Sequence, residues 1–290
     1  MLGRMISAAP VCIVTGATSG IGRAVAVALA SHFPHLILLG RDERRGSQLS
    51  DWLARRHPRA SIEFIPGDLS SLRGVQGLAE SLRQRTSRVD LLINNAGARF
   101  DVFRESSDGL ELTFATNHLG HFLLTLLLWE PLVAAPAARL INVSSSAHAG
   151  ATRPDRWLMT APDYDRRQAY ARSKLANLLF TYELARRCPG SPMTVNAMHP
   201  GMVASGFARN NGLLSWCKHL LAHGLKGELI SPVRGAQTIT YLATSPELSG
   251  SSGNYYFQCR PVPSSTLSRD EGLARQLWAE SVRLTGMDLT

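Results

Sequence analysis

The sequence predicts an α/β fold, a doubly wound parallel sheet of about seven strands with helices on both faces. Two observations carry this. Short apolar runs, the form taken by strands buried on both faces, alternate with longer stretches of helical periodicity. The chain is also large, 290 residues with 44% hydrophobic content, enough to bury the core of one domain spanning 1–290. No linker, low-complexity tract or short repeat divides it.

The elements follow in order. Val11–Thr15 reads as the first strand, and Gly20–His32 as its helix. Leu36–Leu39 is the second strand, and the helix Glu43–Arg56 after it is stopped by Pro58. Ile62–Ile65 is the third strand, followed by a helix with Leu72, Val75, Leu78, Ala79 and Leu82 on one face. Leu91–Asn94 is the fourth strand, Leu110–Val133 one long apolar helix, and Arg139–Val143 the fifth strand. Arg166–Arg187 is a second long helix and Met193–Met198 the sixth strand. Val233–Thr244 reads as a helix, Asn254–Phe257 as the closing strand and Ala274–Leu284 as a terminal amphipathic helix.

Segment 202–229 breaks the rhythm. Leu213, Leu214, Trp216, Leu220, Leu221 and Leu225 keep helical spacing with no strand nearby. An ordinary surface helix and a substrate lid both fit, because ligands of such sheets sit outside the carboxyl ends of the strands.

The net charge of +9 comes almost wholly from arginine, with Lys174, Lys218 and Lys226 as the lysines. The basic residues are scattered rather than gathered into a stripe with interleaved aromatics, so a nucleic-acid surface is not expected. Cys12, Cys188, Cys217 and Cys259 show neither paired nor metal-ligand spacing and read as reduced thiols of a cytoplasmic protein. The first strand begins near Pro10 and no apolar run has the length of a membrane span, so no integral membrane segment is expected.

Two motifs carry chemistry. Thr15-Gly16-Ala17-Thr18-Ser19-Gly20-Ile21-Gly22 links the first strand to a helix. Its glycines permit a tight turn and close approach of a phosphate, toward which the helix N-terminus offers N–H groups and a positive dipole end. Tyr170 and Lys174, at i and i+4, share a helix face. An ammonium beside a phenol favours the phenolate and would lower its pKa toward neutral pH, suiting it to proton transfer. No G-x-S-x-G elbow supports a serine hydrolase. His118 and His121 read as packing residues, and no metal site is expected.

Together with Asn94-Asn95-Ala96-Gly97, Asn117 and Ser145, these motifs resemble the short-chain dehydrogenase/reductase family over nearly the whole chain. A closer resemblance, carried by Thr116–Phe122, Asn142–His148, Tyr170–Asn177 and His199-Pro200-Gly201, is to its retinol-dehydrogenase-like branch. The resemblance implies a Rossmann-type fold and a nicotinamide dinucleotide. It implies that Tyr170 is the acid/base, that Lys174 depresses its pKa and bonds the nicotinamide ribose, and that Ser145 steadies the substrate oxygen. Asn117 would hold the helix backbone and a proton-relaying water. Gly16, Thr18, Ser19, Gly20, Ile21, Gly22, Asp68, Leu69, Asn94, Ala96, Gly97, Pro200, Gly201 and Val203 would border the cofactor. Relatives often pair through their two long helices, so a homodimer through Leu110–Val133 and Arg166–Arg187 is compatible with the sequence.

The second strand ends in Leu39-Gly40-Arg41, where an NAD site would place a carboxylate for the ribose 2′-hydroxyl. Arg41 could instead meet a 2′-phosphate, with Arg23 assisting, so NADP(H) is favoured. Asp42 is the rival: pointing inward, it would suit NAD. Asp68 reads either as adenine-contacting or as a loop cap. The expected activity interconverts a lipophilic alcohol, suggested by Phe100, Phe103, Trp157 and Trp216, with its aldehyde or ketone. The alternatives are reduction of a ring double bond, as in protochlorophyllide reductases, and a non-catalytic dinucleotide sensor or scaffold.

Overall fold

The computed structural model describes residues 9–203 and 229–289. Strands β1 (Val11–Thr15), β2 (His35–Gly40), β3 (Ser61–Pro66) and β4 (Leu91–Asn94) lie in one sheet with β5 (Arg139–Val143), β6 (Thr194–Met198), β7 (Tyr255–Phe257) and β8 (Arg260–Pro261). The order is β3-β2-β1-β4-β5-β6-β7-β8. Every pairing is parallel except β7 with β8. The order reverses between β1 and β4, which opens a crevice at their carboxyl ends.

Side-chain alternation sends each strand's residues to two cores. Val11, Ile13, Ile37, Leu39, Leu92 and Leu140 pack with helices α3 (Leu72–Arg83), α5 (Gly120–Leu127) and α7 (Arg166–Arg187). Cys12, Val14, Leu36, Leu38, Leu91 and Ile93 pack with α1 (Gly20–Leu29), α2 (Glu43–Arg56) and α8 (Pro232–Thr244) on the opposite face.

Three features depart from the sequence reading. The expected helix Leu110–Val133 is broken into α4 (Leu112–Phe114), a wide π turn over Ala115–Leu119, α5, and α6 (Trp129–Val133). Pro131 explains the second break: it has no N–H to donate, and its ring crowds the carbonyl four residues back, so Leu128 leaves helical geometry (φ −98°, ψ 13°). Second, the sheet has an eighth strand. The β7–β8 turn holds Gln258 at φ 48° and Cys259 at φ 61°, the positive values a two-residue hairpin demands, without the glycine or asparagine that would signal it.

Third, α9 (Glu271–Thr285) covers the long helices: its Leu273, Ala274 and Leu277 pack with Leu175, Ala176 and Leu179 of α7. Trp278 stacks near Phe122 and Phe180. Part of the apolar surface of the two long helices is therefore covered within the chain. The proposed lid, 202–229, lies outside the described residues apart from its ends, where Val203 bridges to Ile230.

Candidate active site

A cleft of about 560 Å³ follows the carboxyl ends of β1, β2 and β4 and is walled by the glycine turn. Gly16 and Gly20 hold φ of 68° and 54°. A Cβ on Gly22 would lie 2.2 Å from the Gly16 carbonyl oxygen, so only glycine lets α1 start so close to the strand. Ser19 caps α1 without a side-chain bond and no acidic residue occupies the first turn, leaving that end open to an anion. Thr18, Ile21, Arg41, Asp68, Leu69, Ala96 and Gly97 also line this cleft. The turn, the open helix end and the long crevice fit a dinucleotide.

Thr15 organises the floor. Its Oγ1 accepts from the N–H groups of Asn95 (2.8 Å) and Ala96 (2.9 Å) and faces the Ile93 carbonyl at 3.1 Å and His121 Nε2 at 3.0 Å. His121 Nδ1 lies 3.1 Å from the Asn117 carbonyl, which can only accept, so the proton resides on Nδ1. Burial lowers the His121 pKa to about 4. One neutral imidazole thus joins the cofactor turn to the helix carrying Asn117. Sequence reasoning missed this role; spacing alone cannot show that the π turn aims His121 at Thr15. His118 instead packs among Phe114, Phe122 and Phe180, with Nε2 2.9 Å from Ser281 Oγ.

A second cleft, of about 590 Å³, joins Ile21, Pro200, Gly201 and Val203 to Ser145 and Tyr170. Ser144 donates to the Lys174 carbonyl at 2.8 Å, and Ser146 is exposed. Ser145 is the serine whose hydroxyl bonds the Tyr170 phenol. Asn117 accepts from Ala98 N–H at 2.7 Å, donates to the Ala98 carbonyl at 2.9 Å and donates to Ser173 Oγ at 2.9 Å. The loop after β4 is thereby pinned to the π turn and α7. Lys174 donates to the Val143 carbonyl at 3.0 Å. A Cβ on Gly97 would lie 3.4 Å from Asn117 Oδ1 and 3.5 Å from Lys174 Nζ, so two of the four sequence-predicted catalytic residues meet at one bare glycine, while Ser145 and Tyr170 line the second cleft.

The electrostatics differ from the sequence expectation. Tyr170 keeps a partly exposed face toward the cleft, yet burial pushes its phenol up to about 12, against the lowering influence of the Ser145 bond and then of the Arg99 charge. Lys174 lies over its ring. Its ammonium is held by Val143, 5.8 Å from the Tyr170 ring centre, and burial lowers its own pKa to about 8.

Other expected residues divide. Asn94 does not reach the cleft: it is buried and donates to Thr125 Oγ1 (3.1 Å) and Asn142 Oδ1 (2.9 Å), while its neighbour Asn95 lines the cleft. Asp68 accepts from Ser70 N–H at 3.0 Å and Ser70 Oγ at 2.9 Å, the loop-cap reading, with its body still at the cleft wall. Asp42 caps α2, accepting from Arg45 N–H at 2.9 Å and pairing with Arg45 Nε at 3.1 Å. Arg23 lies 5.8 Å from the Trp52 ring centre and outside the cleft lining. Phe100 and Trp157 are buried and Phe103 packs edge-on to Tyr164, so none lines the substrate-side cleft, while Trp216 lies outside the described residues.

The chain belongs to the short-chain dehydrogenase family, whose model matches residues 10–213. Within it the chain falls in the retinol-dehydrogenase-like branch, being 39% identical to human retinol dehydrogenase 13 over 288 residues, 95% of this chain and 84% of that protein. A crystal structure of an uncharacterised protein from Mycobacterium paratuberculosis shares the fold with a TM-score of 0.75 and 31% identity, covering 97% of this chain and 95% of that one. The NADP complex of Pseudomonas aeruginosa RhlG aligns with a TM-score of 0.68 and 26% identity over 85% of this chain and 93% of its own. Membership makes the chain an oxidoreductase of alcohols or carbonyls using a nicotinamide dinucleotide. Among the described residues no helix is long and apolar enough to cross a membrane.

Proposed function

We propose that this chain is an NADP(H)-dependent oxidoreductase that interconverts a lipophilic alcohol and its aldehyde or ketone, with Tyr170 as acid/base. The observation that supports the reading is the pairing of Ser145 with Tyr170 in the substrate-side cleft, with Lys174 and Asn117 meeting at Gly97 on the wall of the other cleft. The bound nicotinamide supplies or accepts the hydride. Tyr170, protonated at neutral pH with its pKa near 12, gives its proton to the substrate oxygen in the reducing direction. Ser145 donates to that oxygen as charge builds on it. Lys174 occupies the space facing Gly97, where a ribose hydroxyl would come within its reach, and Asn117 keeps the loop carrying Gly97 in register.

NADP(H) is favoured by Gly40, which offers no carboxylate to a ribose 2′-hydroxyl, and by Arg41 at the cleft wall. Asp42, the rival ligand, lines the same cleft, but its carboxylate is engaged as the cap of α2. Apolar lining from Ile21, Ala147, Ala171, Pro200, Met202 and Val203 supports a lipophilic substrate.

The test is oxidation of NADPH in the presence of medium-chain aldehydes, followed by loss of nicotinamide absorbance. Tyr170→Phe should lower kcat by at least about 100-fold, in line with the typical worth of a general acid, while NADPH affinity stays within about twofold. Turnover that survives the substitution removes Tyr170 from the chemistry.

A further inference from the structure

The substrate-side cleft carries charge that the proposed chemistry does not use. Arg99 and Arg167 both line it beside Ser145 and Tyr170, and among the described residues no acidic side chain is in its lining. Arg99 is no solvated surface arginine: its side chain is 25% exposed, and its charge acts on the Tyr170 phenol. Asp101 is the carboxylate beside it, 3.8 Å from Arg99 Nε, but the same Asp101 oxygen lies 3.5 Å from Arg166 Nη1. Asp165 is committed to the start of α7, accepting from the N–H groups of Arg167 and Gln168 at 2.8 Å each. Among the described residues of the lining, Arg99 and Arg167 are the charged ones, so this wall of the cleft is positive. Arg166 and Arg167 also stand in the first turn of α7, where the helix dipole disfavours cations. An anion placed beside Arg99 and Arg167 would be favoured by the two guanidiniums.

We propose that the substrate is an oxo acid, a lipophilic carbonyl compound bearing a carboxylate that Arg99 and Arg167 hold while the carbonyl meets Tyr170 and Ser145. This rests on the function proposed above and names its substrate class. In the reducing direction the carbonyl carbon gains the hydride and its oxygen gains the Tyr170 proton, while the carboxylate is unchanged. The apolar lining takes the chain and the arginines fix which end enters.

Binding tests the idea apart from turnover. The full chain, with NADP present, is titrated calorimetrically with decanoate, methyl decanoate and decan-1-ol. Decanoate should bind about tenfold or more tightly than its ester, as a charge-assisted contact to a partly buried arginine implies, and the advantage should shrink as salt rises. Arg99→Gln and Arg167→Gln should each reduce the acid-to-ester affinity ratio, and the double variant should bring it near unity. Arg167 is exposed, so its variant should melt as the parent does and keeps the test valid if Arg99→Gln unfolds. If no carbonyl compound is turned over but the arginine-dependent preference for decanoate is present, the anion site stands and the oxidoreductase reading fails. Equal affinity for acid and ester, or variants that weaken NADP binding without touching the ratio, overturns the proposal.

Discussion

Replacing His121 by phenylalanine tests whether one imidazole holds the cofactor turn to the catalytic helix. A phenyl ring fills nearly the same volume, so packing loss is small and the polar account decides the outcome. Two contacts disappear: Nδ1–H to the Asn117 carbonyl at 3.1 Å and Nε2 with Thr15 Oγ1 at 3.0 Å. The Thr15 hydroxyl keeps the Ile93 carbonyl at 3.1 Å, which limits its loss to about 1 kcal/mol. The Asn117 carbonyl loses its imidazole donor in a buried π turn, which costs about 1–3 kcal/mol. The sum is about 2–4 kcal/mol, or roughly 3–7 °C in melting midpoint for a chain of this size. The pH dependence adds a signature. With its folded pKa lowered to about 4, His121 takes up a proton in the unfolded chain before the folded one as pH falls below about 6.5. The parent therefore loses stability through that window at about 1.4 kcal/mol per pH unit on this account, and the phenylalanine variant does not. Melting followed by circular dichroism should show a gap at pH 7.5 that narrows by about 2 kcal/mol at pH 5. A variant melting with the parent at pH 7.5, or a gap indifferent to pH, would refute the bridging role.

Two further outcomes follow from the cleft walls. Arg41→Gln should weaken NADPH binding about tenfold, the discounted worth of a charge-assisted contact at an exposed site, and leave NADH within about twofold; equal losses for both in fluorescence titration would return the cofactor choice to NAD. Gly120→Ala puts a Cβ 2.1 Å from the Leu69 carbonyl oxygen, a backbone atom beside the cofactor cleft. It should cost about 1–3 kcal/mol in denaturant unfolding. Unaltered stability would mean the α5–loop contact is slack.

Much was legible in the sequence because the signals are local. The strands of a sheet covered on both faces must be short apolar runs, whatever surrounds them, and β1 to β6 appear where those runs lie. The glycine turn was equally plain, since positive φ at Gly16 and Gly20 and the contact at Gly22 leave no other residue type room. The placing of Ser145 and Tyr170 at one cleft, with Lys174 buried a turn further along the same helix, follows from their elements. By contrast, β8 was hidden because Gln258 and Cys259 take left-handed conformations with no glycine to announce them. Which of Asn94 and Asn95 lines the cleft was hidden for a similar reason: two adjacent identical residues at a strand end differ only in which one faces the crevice.

The order of β1 to β6, the glycine turn and the pairing of Tyr170 with Lys174 on one helix were legible in the sequence alone, because each depends on residues within a turn or two of one another. The environment of that pair was decided only by tertiary structure. Burial moves the Tyr170 phenol up rather than down, Val143 rather than the phenol holds the Lys174 ammonium, and Arg99 and His121 reach the site from elements far along the chain. Desolvation and long-range charge depend on everything packed around a group, and no spacing of letters records that.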